Sequence, residues 1–576
     1  MNLRLLIGLC AFLLMGSFTS FAQQNIYVNQ VGYTLTSPKL FYTDYPADSF
    51  DIINCQNEAL EYRQIIKLKK ENDFNSGLTL YTGDFSEFQT PGQYLIKVYA
   101  PLNSGISSYP FNISNSVYSE MIQLANKSLF LQRCGMAMEE PYAGKYTRKI
   151  CHLDDAHYHP TTGQKGHKDV TGGWHDAGDY GKYIAPGSVT VAILLLAHEM
   201  NPEKFSSDAC GIPESGNGIP DLLDEVKYEL DWLFKMQRED GAVHEKVHSK
   251  DYVQFVMPSE GHLERYIYEV SSTATADFAA VMAVAARKFK AINANYSTKC
   301  LEAARKAYQF LRNNPDVFPH GGFKNPSDTQ AGGYSDAFDK NERIWAASEL
   351  YITTGEKKFH DDFQSLSAQL NSDFSVLAWN DPSPLAYYSY LLNPLDKGDK
   401  GIHQKIKDKL IAFCDHQVKL ADQDGFGIAM APDDFIWGSN GYMLNKAMNL
   451  IIGYEMTNNQ RYLDLANHHL NYILGVNPLK ISYATGVGTK RILHLHHAPS
   501  VADLHVGPIP GILTGGPNRL LEDQSLEKTF TKKTPPAKTF LDNEESYSSN
   551  ENTIYANASL VFIAGYFNQF VFTSEE

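Results

Sequence analysis

Between residues 113 and 119 the apolar pattern of this chain changes its period from two to about 3.6. Before the change, from Asn25 to about Ile113, short runs alternate: Ile26-Tyr27-Val28, Phe50-Asp51-Ile52-Ile53, Leu78-Thr79-Leu80-Tyr81 and Tyr94 to Tyr99. Turn clusters such as Thr90-Pro91-Gly92 separate them. Side chains that alternate between two faces bury one face only when two sheets pack together, so the pattern predicts a β-sandwich over residues 24–113. After a Ser/Asn-rich stretch the apolar residues fall on helical faces, as in Leu222, Leu223, Val226, Leu230 and Leu233, or Phe278, Val281, Met282, Ala285 and Phe289. About twelve such segments begin near Ser119, Ala185, Asp221, Thr273, Ser297, Asn341, Lys357, Ser383, Ile402, Asn440, Asn459 and Thr553. Twelve helices over residues 118–572 suit a toroid of six helical hairpins, with the long loops building a groove at one end.

The first 22 residues combine Arg4, an apolar run from Leu5 to Phe18 and a small-residue exit at Ser20-Phe21-Ala22, the pattern of a cleaved signal peptide. The run is too short to span a bilayer, so the chain is expected to be exported, to the periplasm or beyond, without a membrane span. Removing Cys10 with this leader leaves six of the seven cysteines, too sparse for a disulfide scaffold in a chain of 576 residues. A net charge of -16 disfavours nucleic acid, whose binding depends on dense Lys and Arg. The 34 Tyr and 31 Phe exceed what a core needs and suit a neutral, stacking ligand.

Three constellations carry chemistry. In Gly172-Gly173-Trp174-His175-Asp176-Ala177-Gly178-Asp179-Tyr180, the acids Asp176 and Asp179 lie three residues apart, placed to share one water molecule. Acids that merely decorate a helix start give the same pattern. Glu551 stands at the mouth of the apolar segment from Ile554 to Phe567, where partial burial raises a carboxyl pKa, or where the acid only complements the helix dipole. A third run, from Ile473 through Gly475-Val476-Asn477-Pro478 to His494-Leu495-His496-His497, joins a helix end to a binding loop or to a metal.

In this order the motifs resemble glycoside hydrolase family 9, in the branch with an N-terminal immunoglobulin-like domain. The resemblance rests on Asn29-Gln30-Val31-Gly32-Tyr33, Gln132-Arg133-Cys134-Gly135, the run from Gly172 to Tyr180, Asn217-Gly218-Ile219-Pro220-Asp221, Trp437-Gly438-Ser439-Asn440, Leu474 to Pro478, Pro508-Ile509-Pro510-Gly511, Gly515-Gly516-Pro517-Asn518 and Asn550-Glu551. It implies an all-β immunoglobulin-like sandwich followed by an all-α (α/α)6 barrel, hydrolysing β-1,4-glucan with inversion. At matching positions Asp179 is the general base, Asp176 helps to hold the attacking water and Glu551 is the general acid. His496 falls at the subsite of the cleaved sugar; Trp345, Trp437 and Tyr547 are candidate sugar platforms, with core packing the commoner fate of such rings.

The resemblance also implies a structural zinc held by Cys134, Cys151, His152 and His175, a closed Cys2His2 set. A Cys134–Cys151 disulfide is the competing reading, with His157 and His159 as substitute ligands. Glu214, Asn217, Gly218 and Asp221 resemble a calcium loop, helix capping being the rival, and Asp336, Asp339 and Asp381 match a second site in part. No organic cofactor is expected; the partners are an oligo- or polysaccharide, with the protein itself a monomer. One position departs from the family: His496-His497 is followed by Ala498 where the family carries an arginine, which removes a charge-assisted donor and leaves room for a decorated β-glucan. Two other readings compete, an exo-acting glucosaminidase on chitosan oligosaccharides and a glycan-binding protein on a retired enzyme scaffold.

Overall fold

The computed structural model describes residues 25–99, 105–369, 373–393, 399–503 and 507–569. The expected leader lies outside these residues, as do the outermost residues of the two expected domains. The strands between Ile26 and Ile113 form the sandwich. Its two sheets share the long strand Leu60–Lys70, whose first half pairs antiparallel with Ser49–Asn54 and whose second half pairs with Leu80–Asp84. One strand passing between sheets closes the sandwich over a core of Phe41, Phe50, Phe85, Phe111 and Ile96, with the rings edge to face.

Among the described residues twelve helices of ten residues or more follow: α1 (Ser119–Leu131), α2 (Ile184–Met200), α3 (Asp221–Met236), α4 (Ser272–Phe289), α5 (Ala294–Asn313), α6 (Lys340–Thr354), α7 (Lys357–Gln369), α8 (Ser383–Leu392), α9 (Lys400–Gln423), α10 (Ser439–Thr457), α11 (Gln460–Ile473) and α12 (Ile554–Phe567). The even-numbered helices make the inner ring of an (α/α)6 barrel: α2 packs on α4, α4 on α6, α6 on α8, α10 on α12, and α12 closes back onto α2. Inner helices are covered on all sides, so α2 is buried continuously from Ile184 to Ala197. Outer helices bury one stripe, as α5 does through Tyr296, Cys300, Ala303, Ala304, Ala307, Tyr308 and Leu311. The Phe278 face in α4, read from the sequence as one side of an amphipathic helix, is part of a helix buried all round.

The inner helices begin at one end of the barrel, where the connecting loops are long. There the sequence reading missed a small sheet, in which Lys246–Ser249 pairs with Lys182–Tyr183 and with Arg265–Ile267. Strands this short carry too little alternation to be seen in a helical background.

Sandwich and barrel are clasped by two of the sequence motifs. Asn29 accepts the amides of Val31 and Gly32 and donates to Asn471 Oδ1 of α11 at 2.8 Å. Gln30 donates its own amide to the Leu474 carbonyl and its side-chain amide to the Lys480 carbonyl. Gly475, at φ +134°, leaves no room for a side chain, because a Cβ there would stand 2.5 Å from the Val28 carbonyl oxygen. Asn29→Ala strips partners from buried groups on both sides of the joint. It is expected to cost about 1–3 kcal/mol of unfolding free energy, measured by denaturant titration.

Candidate active site

The segment from Gly172 to Tyr180 is a braced loop rather than a helix. Gly173, at φ +74°, lies against the Trp232 ring, 2.7 Å from where a Cβ would be. Glu229 accepts the Trp174 amide at 2.7 Å, and Glu225 accepts the Trp174 indole N–H at 2.6 Å. Behind the loop, Asp155 is buried between Lys182 and Arg265, at 2.7 and 2.5 Å. Lys182 also donates to the carbonyls of Val170 and Gly172, and Arg265 donates to that of Tyr180. A buried ion triad with its remaining donors satisfied fixes the backbone on either side of the two acids.

Asp176 and Asp179 have different surroundings. Asp176 is buried, accepts the Tyr334 hydroxyl at 2.5 Å through Oδ2, and has no partner for Oδ1. Burial, outweighing the Tyr334 hydrogen bond and aided by the charge of Asp179, pushes its pKa up to about 8. Burial acts on Asp179 in the same direction, but His248 and the Gly181 amide overcome it and hold this carboxyl below its ordinary value. His248 Nε2 lies 3.1 Å from Asp179 Oδ2, and its Nδ1 donates to the Ser249 carbonyl at 2.8 Å.

Glu551 comes from the other end of the chain. Its Oε1 accepts the Gly178 amide at 3.2 Å, and its backbone pairs with His496, whose amide donates to the Asn550 carbonyl. Burial, reinforced by the charges of Asp179 and Asp176, raises its pKa well above the usual carboxylate range. Gly178 is required here, since a Cβ would collide with the His496 carbonyl oxygen. Several motifs separated in sequence meet around this acid. Asn550 donates to the His494 carbonyl, Gly516 to that of Ser549, Asn440 to that of Gly515, and Ser439 to that of Pro517.

The expected sugar contacts separate into two groups. His496 donates from Nδ1 to the Glu544 carbonyl, and its ring lies 6.0 Å from Tyr547, which in turn is 5.4 Å from Trp437. Trp437 and Tyr547 are 45% and 38% exposed, open enough to receive a sugar face. Trp345 is a correction: it points into the interior from α6 and is fully enclosed, so no sugar can stack on it. His248 and Tyr334 were not anticipated. Their signals were faint: a run with His244, Lys246 and His248 on alternate positions, and a tyrosine in a glycine-rich loop.

The zinc residues converge. The ligand atoms of Cys134, Cys151, His152 and His175 all lie within 4.8 Å of one another, the one such group among the described residues. Both cysteines are free thiols, His157 pairs with Glu264, and His159 bonds Thr161. Two sulfurs and two imidazoles, with three of the residues buried and His152 partly so, fit the donor set of a structural zinc. The calcium residues do not fit as well. Glu214 faces Arg133 with both oxygens, Asn217 bonds Ile219 and Asp224, the Gly218 amide donates to Asp208, and Asp221 accepts from Cys210 and Ser215. In the partial second set Asp339 is paired with Arg343 and Asp381 caps Ser383. Most of these oxygens have partners within the protein, but Asp221 Oδ1 has none, and the pKa of Asp336 is raised by burial and by the nearby charges of Asp339 and Asp381.

Known proteins match this architecture over its length. The family profile described as "Glycosyl hydrolase family 9" matches residues 118–564, and "Cellulase N-terminal ig-like domain" matches residues 22–101. The chain belongs to glycosyl hydrolase family 9. It is a glycoside hydrolase with the family's (α/α)6 barrel behind an immunoglobulin-like sandwich. A cellodextrinase of Butyrivibrio fibrisolvens is 34% identical over 554 residues, spanning 94% of this chain and 98% of that one. A xyloglucan-specific endo-beta-1,4-glucanase of Bacteroides ovatus is 34% identical over 85% of this chain and 84% of its own. The solved structure of a Zn-binding triple mutant of the family 9 endoglucanase J30 superposes with a TM-score of 0.86 at 31% identity, covering 93% of this chain and 99% of that one. No helix among the described residues is long and apolar enough to cross a membrane.

Cys134 donates its amide to the Gly173 carbonyl and His175 directly precedes Asp176, so the four-residue cluster is tied to the loop of the acids. Cys151→Ala is expected to abolish stoichiometric zinc in elemental analysis of the purified protein and to lower its Tm by calorimetry; a protein as stable and as zinc-rich as the parent would refute the site.

Proposed function

We propose that this protein is an exported hydrolase of β-1,4-glucosidic bonds, working as a monomer with inversion, in which Asp179 is the general base and Glu551 the general acid. The observation that carries this reading is the contrast in surroundings of the two. Asp179 faces His248 and accepts the Gly181 amide, which lower its pKa, while Glu551 is buried with the Gly178 amide as partner, and burial raises its pKa. Environments that push two carboxyl pKa values apart are what acid–base hydrolysis requires. Asp179 takes a proton from water as the water oxygen attacks the anomeric carbon; Glu551 gives its proton to the glycosidic oxygen as the carbon–oxygen bond breaks. Water has to fit between base and sugar, so inversion needs the two carboxyls about 6.5–9.5 Å apart. Asp176, held by Tyr334 through one oxygen, keeps Oδ1 free to position that water.

Zinc, when bound to its four ligands, supplies only structural coordination. The chain's own residues do the rest: His496 meets the sugar at the cleavage point, while Tyr547 and Trp437 stack on its neighbours. Names of relatives support the substrate class, as cellodextrinase and xyloglucan endoglucanase both act on β-1,4-linked glucose. The leader over residues 1–22 supports export to the periplasm or the exterior.

Product analysis on cellulose, mixed-linkage glucan, xyloglucan and chitosan oligosaccharides, with NMR of the first-formed anomer, tests the reading. An α-anomer from a glucan is expected; a β-anomer, or cleavage of chitosan alone, would overturn it. Asp179→Asn and Glu551→Gln should each lower kcat by roughly 10²–10⁴-fold, and Asp176→Asn by roughly a hundredfold through misplaced water. The kcat/KM profile should be bell-shaped. Activity falls on the acid side as Asp179 takes a proton and on the alkaline side as Glu551 loses one. His248→Gln removes the charge that depresses Asp179, so the acid limb should move to higher pH while the alkaline limb stays in place.

A further inference from the structure

Residues 250–264 form a long connection between two strands that pair directly, Ser249 standing opposite Arg265. Loops longer than about 12 residues are uncommon in compact domains and are either functional or linkers, and the contacts of this one favour the first. Its root lies on the bank of the base. Tyr252 is 5.8 Å from the ring of His248 and accepts the Gly332 amide, and the Lys250 carbonyl accepts the amides of Gln330 and Ala331. Its middle reaches the bank of the acid. Phe255 packs edge-on against His496 at 5.1 Å, and Met257 lies in a small cleft with Tyr146, Pro499 and Ser500. Between these, the Val256 carbonyl accepts the Tyr180 hydroxyl at 2.5 Å, tying the arch to the residue after Asp179. The loop therefore touches both sides of the site, through Tyr180 after Asp179 and through His496, whose backbone pairs with Glu551.

From Phe255 a row of rings leads away: Phe255 to His496 at 5.1 Å, His496 to Tyr547 at 6.0 Å, Tyr547 to Trp437 at 5.4 Å. Exposure along the row grows with distance from the loop, from half-buried Phe255 and His496 to Trp437 at 45%. The row thus runs from the loop toward the more exposed side of the site.

Building on the catalytic reading above, we propose that the 250–264 loop is an end wall. The protein thus removes short units of fixed length from the ends of soluble β-1,4-gluco-oligosaccharides instead of cutting polymers internally, and Phe255 is the residue that determines this specificity. Phe255 touches the bound chain end and takes no part in proton transfer.

The test follows a soluble mixed-linkage glucan with the wild-type protein, recording viscosity and new reducing ends together, and in parallel resolves early products from reducing-end-labelled cellopentaose. Reducing ends are expected to accumulate with little fall in viscosity, and one short product should dominate the early digest. Phe255→Ala should lower kcat/KM on cellotriose by about tenfold and broaden the cellopentaose products. Replacing Val253–Met257 with two glycines should make viscosity fall faster per bond cleaved. A wild-type protein that collapses viscosity at low conversion and gives a ladder of products would overturn the end wall while leaving the acid and base intact. Failure of the wild type to hydrolyse any β-1,4-glucan would instead refute the catalytic reading on which the wall rests.

Discussion

Two hydrogen bonds join the loop of the aspartates to the start of α12: the Asp176 carbonyl accepts the Ile554 amide at 2.9 Å, and Glu551 accepts the Gly178 amide at 3.2 Å. A third, from the Ala498 amide to the Gly178 carbonyl at 2.7 Å, brings in the segment after His496. Segments remote in the chain are held at hydrogen-bonding range, through backbone groups on both sides in two of these bonds and on the loop side in the third, and backbone groups have few ways to move once the barrel is closed. The closure of α12 against α2 supplies that condition, so the position of the acid relative to the base depends on the whole ring. The sandwich contributes to it too, because Asn29 and Gln30 fasten the end of α11 and the turn after it.

The division of labour between the carboxyls is an electrostatic consequence of this placement. Three acids in one low-dielectric pocket repel one another, so the pocket cannot hold three charges. His248 decides which of them remains ionised, because its ring meets Asp179 and neither of the others. Tyr334 partly offsets the burial of Asp176, and Glu551 has only an amide to accept. Behind them, the Asp155 triad and the four zinc-type ligands hold the same loop from two directions. Rigid support of this kind keeps a water molecule and a sugar aligned without reorganisation during the reaction.

Much of the site was legible in the residues. The run from Gly172 to Tyr180 has glycine where the backbone passes Trp232 and where Glu551 approaches, and such requirements leave fixed letters in a sequence. Cys134, Cys151, His152 and His175 were legible only through the family resemblance, which told this set from a disulfide, and the four do converge. What was not legible were partners chosen by proximity alone. His248 sits in a strand of four residues and Tyr334 in an irregular loop, and neither carries a pattern that tells where its side chain ends. Trp345 shows the converse: the sequence leaves platform and core packing both open, and the inner ring of helices encloses it.

By itself the sequence determined the change from strands to helices, the number of helices and the identities of the acids and thiols, because periodicity and special chemistry are local properties of residues. Tertiary structure alone decided which helices are inner and outer, which aspartate keeps its charge, which aromatic rings face solvent, and that a loop carrying Phe255 joins the two banks of the site. Those outcomes follow from burial and from distances between segments remote in the chain, and a linear order of residues contains neither.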